Sequence, residues 1–125
     1  MTRDIVLTAD APAPVGPYSQ TVKAGSLVFA AGQIPLDPAT GAMPDGIAAQ
    51  TDLVLRNVRA VLEAAGASLA TVVKTTVFLQ NLDDFGAMNA VYATFFPEAP
   101  PARACVEVAR LPKGALVEIE AVAAL

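Results

Sequence analysis

The sequence contains no histidine and no tryptophan, and it has a single cysteine, Cys105. Without histidine the chain cannot build a Ser-His-Asp triad, a Cys-His pair or an imidazole metal site. One cysteine cannot form a disulfide within the chain or a cysteine-rich zinc site. Any catalysis must therefore use carboxylates, arginine, lysine, tyrosine, cysteine, backbone amides or water.

Charged residues are also scarce. Asp, Glu, Lys and Arg make up 16% of the 125 residues, whereas apolar residues make up 54%; a typical soluble domain has about 25% charged residues. This composition excludes intrinsic disorder, which requires low hydrophobicity and high charge. The net charge of −4 and the scattered basic residues argue against nucleic acid as a main partner.

Long hydrophobic runs are missing as well. A membrane-spanning helix needs about 20 predominantly apolar residues, but the longest uncharged runs, 24–36 and 85–97, are shorter and include Gly, Pro, Gln or Asn. The N-terminal segment carries Asp4 and lacks the continuous apolar stretch of a signal peptide. We therefore expect a cytoplasmic protein with one domain over residues 1–125, which buries its surplus apolar surface in a homo-oligomer.

The hydrophobic period changes along the chain and predicts the secondary structure. Residues 9–20 are rich in proline and predict a loop. The predicted elements that follow are strands near 18–23 and 27–32, a helix over 48–65 that ends at Gly66, a strand over 72–80, a helix over about 83–96, and two strands joined by Leu-Pro-Lys-Gly within 102–125. The order β-β-α-β-α-β-β predicts an α+β sandwich with both helices on one face of the sheet. Two helices cannot cover both faces, so we expect the other face to be buried by another subunit.

Arg103 is the first candidate functional residue because it lies inside an apolar strand. Alternation places Arg103, Cys105 and Glu107 on one side of that strand. An arginine in such a position needs an anionic partner. The partner could be Glu107 or Glu120 in a structural ion pair, or the carboxylate of a ligand held by bidentate hydrogen bonds.

Glu118 and Glu120 alternate along the last predicted strand and point away from Val117 and Ile119. We expect them to face the side that holds Glu107 on the adjacent strand. Crowded carboxylates raise each other's pKa and can act as a general acid or base. An exposed polar face of a strand produces the same alternation, so the pattern alone leaves both explanations open.

Four further residues could line a site, and each also has a simpler structural explanation. Tyr18 follows a Gly-Pro turn, where it could orient a ligand or anchor the loop. Gly32 could let a backbone amide approach a ligand, or it could mark a β-bulge. Asn89 could donate its side-chain amide or cap local structure, and Cys105 is more typical of a small buried side chain than of a nucleophile.

Five segments of the chain resemble the RidA (YjgF) family, and they occur in the family's order. They are GPYSQ at 16–20, AAGQIP at 30–35, KTTVFL at 74–79, PARACVEVARLPKG at 101–114 and VEIEA at 117–121. The resemblance implies a chorismate-mutase-like fold in a homotrimer whose sheets line a central barrel, with ligand clefts between subunits. It also implies hydrolytic deamination of 2-imino and enamino acids, such as 2-iminobutanoate and 2-iminopropanoate, to 2-oxo acids and ammonia without a cofactor.

The resemblance also implies roles for individual residues. Arg103 matches the arginine that binds the substrate carboxylate, and Glu118 matches the glutamate associated with the attacking water. Tyr18 also matches a position of the family's pocket, and we expect it to be the third catalytic residue. The implied substrate-binding positions are Ala31, Gly32, Asn89 and Cys105, the last through its backbone. The family commonly has serine or threonine where this chain has Ala31. A hydroxyl near the substrate is therefore missing, which puts the substrate preference and the rate in doubt more than the reaction class.

Two other functions stay open on this basis. The clefts could bind small carboxylates in a regulatory protein that has no catalytic activity. The family also carries the name of an RNA-cleaving translation inhibitor, against which the acidic net charge and the absence of histidine and of a basic stripe argue. We expect no metal, no nucleic acid and no membrane among the partners.

Overall fold

The computed structural model describes residues 2–125, which form six strands and two helices in one sheet-and-helix sandwich. The strands are β1 (Arg3–Val6), β2 (Thr21–Ala24), β3 (Leu27–Gln33), β4 (Val72–Leu79), β5 (Ala102–Glu107) and β6 (Val117–Ala124), and the helices are α1 (Ile47–Ala64) and α2 (Phe85–Phe95). The predicted α+β class with two helices is confirmed. The structure adds β1, a short strand that the apolar pattern does not predict.

The strand order in the sheet is β1-β2-β3-β6-β4-β5. All neighbours are antiparallel except β4 and β5, which are parallel and are connected through α2. A parallel pair requires such a crossover connection. Because β4 lies between β5 and β6, our expectation that the last two strands are adjacent is wrong.

Helix α1 forms where the sequence repeats apolar side chains at helical spacing. Val54, Leu55, Val58 and Leu62 are fully buried, and they pack the helix onto the sheet. The helix ends before Gly66, whose φ of +88° favours glycine. The predicted range of 48–65 differs from the observed helix by one residue at each end.

Both helices lie on one face of the sheet, which we call the helix face. Buried side chains from the central strands, such as Val28, Val77 and Ile119, point to this face and form the core with α1. The opposite face, which we call the open face, has no covering layer within residues 2–125, and Phe29 and Val106 are each 44% exposed. The predicted uncovered sheet face is therefore present in the single chain.

Neither helix in the described part of the chain is long and apolar enough to cross a membrane.

Candidate active site

Arg103 points to the helix face of the sheet. In the parallel β4–β5 register Arg103 pairs with Thr75, and Cys105 pairs with Val77. Thr75 and Val77 are buried under the helices, and paired residues in neighbouring strands point to the same face. The predicted alternation of β5 is confirmed, and it directs Arg103 towards α2.

Three side chains of α2 surround the Arg103 guanidinium. Its Nη1 donates a hydrogen bond to Oδ1 of Asn89 at 2.7 Å. The guanidinium carbon lies 4.7 Å from the ring centroid of Tyr92 and 5.5 Å from that of Phe85. These contacts hold a half-buried cation in place without neutralising its charge.

Arg103 has no salt bridge to any residue within 2–125. The expectation of a structural ion pair is therefore wrong for both proposed partners. Glu107 accepts a hydrogen bond from the backbone N–H of Leu82 at 3.0 Å instead. Glu120 lies on the other face of the sheet, because it pairs with Thr76 rather than with a residue that points to the helices.

A cavity of about 380 Å³ lies beside the arginine. Its lining residues, apart from Arg103, are Asn89, Tyr92, Ala93, Phe96, Pro100 and Pro101. A cavity that combines mostly apolar walls with one cation suits a small carboxylate that has an apolar portion. Asn89 and Arg103, predicted separately from the sequence, are thus brought together.

Tyr92 is a site residue that the sequence analysis does not identify. It lies three residues after Asn89 on α2, so both project from the same side of the helix. That spacing is the signal that points to Tyr92 once Asn89 is a candidate. The same spacing is typical of an ordinary buried aromatic residue, so only the guanidinium contact distinguishes the two cases.

Cys105 is half-buried on the same face as Arg103. Burial raises the pKa of its thiol, although the charge of Arg103 opposes this effect. A thiol that stays protonated at neutral pH is a poor nucleophile. The structure therefore supports the view of Cys105 as a small packed side chain.

Glu118 points to the open face, on the opposite side of the sheet from Arg103. In the β4–β6 register it pairs with Phe78, whereas its neighbours Val117 and Ile119 are buried under the helices. The expectation that Glu118 and Glu120 share a face with Glu107 is wrong, because β4 separates the two strands and the alternation directs Glu107 to the helices.

Burial raises the pKa of the Glu118 carboxyl, and the charge of Glu120 raises it further. Burial is the larger of these two causes, and the neighbouring carboxylate acts in the direction expected for crowded carboxylates. A carboxyl with a raised pKa exchanges protons more readily near neutral pH. Its burial and the direction of its pKa shift make Glu118 a candidate general acid or base.

Gly32 lies directly against the Glu118 carboxylate. A Cβ atom at residue 32 would be 3.0 Å from both Cδ and Oε2 of Glu118. The pairing of β3 with β6 shifts register between Ala30 and Gln33, which agrees with the alternative in which Gly32 marks a β-bulge. At the same bulge, the backbone N–H of Ala31 donates to the carbonyl of Gln20 at 2.9 Å.

Tyr18 lies in the loop before β2 and is 50% exposed. Its hydroxyl accepts a hydrogen bond from the backbone N–H of Val15 at 3.4 Å, which is a weak loop contact. Tyr18 and Gly32 both line a small cavity of about 30 Å³. The loop thus brings Tyr18 towards Gly32, the residue that contacts Glu118.

The candidate residues therefore form two separate groups in the chain. The Arg103 group on the helix face consists of Asn89, Arg103 and Cys105. The Glu118 group, around β3 and β6, consists of Tyr18, Ala31, Gly32 and Glu118. The sheet separates Arg103 from Glu118, so one chain does not direct both side chains into one cleft.

Comparison with known proteins gives the relationships of the chain. The model of the family described as endoribonuclease L-PSP matches residues 8–125. A RutC family protein of Pyrococcus horikoshii is 55% identical over 122 residues, which cover 97% of each chain. The 2-iminobutanoate/2-iminopropanoate deaminase of Salmonella typhimurium is 52% identical over 121 residues, which cover 94% of each chain. The crystal structure of E. coli TdcF with bound serine is 46% identical and covers 98% of each chain, with a TM-score of 0.95.

Proposed function

Because this chain belongs to the endoribonuclease L-PSP family, also called the RidA/YjgF family, we propose that it hydrolyses 2-imino and enamino acids to 2-oxo acids and ammonia. The substrates would include 2-iminobutanoate and 2-iminopropanoate, which the name of the Salmonella relative specifies for that protein. The observation that carries the proposal is Arg103, a cation without an acidic partner in residues 2–125, beside an apolar cavity.

Arg103 would bind the substrate carboxylate. Asn89 occupies only Nη1, and the other guanidinium N–H groups donate to no side chain of residues 2–125. The fork of a guanidinium matches a carboxylate with two parallel hydrogen bonds. The serine bound to E. coli TdcF also carries a carboxylate, which is consistent with this role.

The opposite orientations of Arg103 and Glu118 support a site that is shared between subunits. We propose a homotrimer in which each cleft receives Arg103 from one subunit and Glu118 from its neighbour. The open face would then line the central barrel. The open face contains a groove of about 500 Å³, which is lined in part by Val22, Phe29 and Val122. These side chains supply apolar surface for the contact between subunits.

The reaction requires water to attack an electrophilic iminium carbon. Glu118 would orient that water and accept one of its protons as the new C–O bond forms. It would then pass that proton to the nitrogen, and the C–N bond would break as the hydroxyl oxygen gives its remaining proton to Glu118 and becomes the carbonyl of the 2-oxo acid. The departing ammonia would take this second proton from Glu118 and leave as ammonium. Tyr18 would help to orient the water or the substrate from the loop near Gly32. No redox step is needed, and both protons of the water leave with the nitrogen, so that an iminium ion and water give a 2-oxo acid and ammonium.

The proposed function is tested by generating each imine in situ with an amino-acid oxidase and measuring 2-oxo acid formation with and without the protein. Arg103→Ala should lower the acceleration by at least about 30-fold, because an unpaired buried carboxylate costs about 2–5 kcal/mol. Arg110→Ala is a matched control, since Arg110 is an exposed arginine beyond the end of β5. Near-normal acceleration by folded Arg103→Ala protein would contradict the assignment.

The same assay separates the two alternative functions. A regulatory binding protein would bind 2-oxo acids without accelerating hydrolysis above the spontaneous rate. The family description favours RNA cleavage as the other candidate, although eight basic residues against twelve acidic ones make phosphate binding unfavourable. RNA cleavage that persists at constant specific activity through purification would support that candidate.

A further inference from the structure

Tyr92 forms the floor under the Arg103 guanidinium. Tyr92 is 6% exposed, and the centroid of its ring lies 4.7 Å from the guanidinium carbon. Phe96, the residue that follows α2, packs against the same ring at 4.7 Å between centroids. The ring face therefore restricts the tilt of the guanidinium plane, while the hydrogen bond to Asn89 restricts its rotation within that plane.

Thr75 in turn holds the Tyr92 ring. Its Oγ1 lies 2.8 Å from the Tyr92 hydroxyl, and either atom can donate the hydrogen bond. Thr75 is 1% exposed and pairs with Arg103 in the β4–β5 register. The contacts therefore form a closed path from Arg103 to Tyr92, from Tyr92 to Thr75, and back to Arg103 through the sheet.

A second arginine–aromatic pair, between Arg59 of α1 and Phe95 of α2, lacks this arrangement. Arg59 lies 5.7 Å from the ring centroid of Phe95, which is a more distant contact to a ring without a hydroxyl group. Arg59 is exposed and lies away from the cavity beside Arg103. Of the two pairs, only the one in the candidate site therefore has a ring hydroxyl that is hydrogen-bonded to β4.

We propose that Tyr92 and Thr75 are positioning residues, which hold the Arg103 guanidinium in the orientation that receives a substrate carboxylate. The proposal rests on the proposed function, in which Arg103 binds that carboxylate. Two parallel hydrogen bonds require the planes of both groups to align, so a small rotation of the guanidinium weakens both bonds together. The Tyr92 ring supplies most of this alignment, and the hydrogen bond between Tyr92 and Thr75 adds to it by fixing the position of the ring.

The test measures binding of 2-oxobutanoate, the product acid, by titration calorimetry, so that it does not depend on turnover. Tyr92→Leu should weaken binding by about 5- to 30-fold, the range of a partly desolvated cation–π contact. Tyr92→Phe keeps the ring and should restore most of that loss. Thr75→Val should match Tyr92→Phe, and the double variant should be no weaker than either, because each removes the same hydrogen bond.

Phe95→Leu is the matched control, because it removes an aromatic ring from α2 that contacts a different arginine. It should leave the affinity for 2-oxobutanoate unchanged, and thermal unfolding should verify that every variant is folded. Equal weakening by Phe95→Leu and Tyr92→Leu, or wild-type affinity in folded Tyr92→Leu protein, would overturn the positioning role. Wild-type protein that binds no 2-oxobutanoate would overturn it as well. Wild-type protein that binds the acid but does not accelerate imine hydrolysis would overturn the deaminase proposal alone.

Discussion

Two inactive variants, Arg103→Ala and Glu118→Gln, should restore activity to each other when their subunits are exchanged. The prediction follows from the sheet, which directs Arg103 to the helix face and Glu118 to the open face. A cleft that uses both residues must take them from different chains. A Glu118→Gln subunit still supplies Arg103, and a neighbouring Arg103→Ala subunit still supplies Glu118, so the cleft between them is complete.

The size of the recovery follows from counting clefts. In an equal mixture with random exchange, each cleft of a ring receives an intact Arg103 in about one half of cases and, independently, an intact Glu118 in about one half. About one quarter of the clefts are then complete, and the sample should regain about one quarter of wild-type activity. A site within one chain would regain nothing, because every chain lacks one of the two residues.

The assay follows 2-oxobutanoate formation from 2-iminobutanoate after the two variants are unfolded together and refolded. The same proteins mixed without unfolding provide the background, and a size tag on one variant measures subunit exchange by mass spectrometry. Wild type exchanged with the double variant Arg103→Ala/Glu118→Gln adds a second comparison. In this mixture about one quarter of the clefts should be complete if the site is shared between subunits, and about one half if it lies within one chain. No recovery in a sample with verified exchange would refute the reasoning.

Three further predictions concern Glu118, Gly32 and Cys105. Glu118→Gln should lower kcat by about 10²- to 10⁴-fold, the usual contribution of a general acid or base. Folding raises the pKa of Glu118, so the folded state binds this proton more tightly than the unfolded state does. The resulting contribution to the free energy of unfolding is present at low pH and is lost as the pH rises through the folded-state pKa. Glu118→Gln should therefore raise Tm at neutral pH and not at acidic pH; a pH-independent difference would contradict this. Gly32→Ala should lower kcat by about 10- to 100-fold, because its Cβ would displace the Glu118 carboxylate. Its Tm should change little, and unchanged kinetics would separate Gly32 from the site. Cys105→Ala should keep near-normal kcat, and iodoacetamide should modify the wild-type thiol more slowly than free cysteine, because burial raises its pKa.

The parts of the fold that local patterns determine could be predicted from the sequence. The apolar stripe through Val54, Val58 and Leu62 specifies α1 to within one residue at each end. Strand β1 carries no such signal, because this segment of four residues is largely exposed and pairs only with β2. The position of β4 between β5 and β6 cannot be predicted from the local sequence either, because a strand shows the same alternation of apolar and polar residues whichever strand pairs with it.

The candidate site likewise contains residues that the sequence identifies and residues that only the structure identifies. Arg103 stands out in the sequence because a charge inside an apolar strand requires a partner, and alternation correctly groups it with Cys105. Tyr92 and Thr75 do not stand out, because a buried aromatic residue and a β-branched residue in a strand are ordinary core positions. Whether Arg103 and Glu118 share a face depends on strand order, which only the tertiary structure supplies. The effect of Ala31 in place of a hydroxyl residue stays a prediction.

The position of β5 at the edge of the sheet has a practical consequence for handling the protein. An edge strand exposes unpaired backbone groups to which another chain can add, and inward-pointing charges and nearby prolines discourage this. In β5 these features are Arg103, Glu107 and the preceding Pro100 and Pro101. Replacing Arg103 with alanine leaves Ala-Ala-Ala-Cys-Val at an exposed edge, so light scattering of this variant should be recorded before a loss of activity is attributed to the missing guanidinium. The residue that would bind the substrate would therefore also discourage the addition of another strand at this edge.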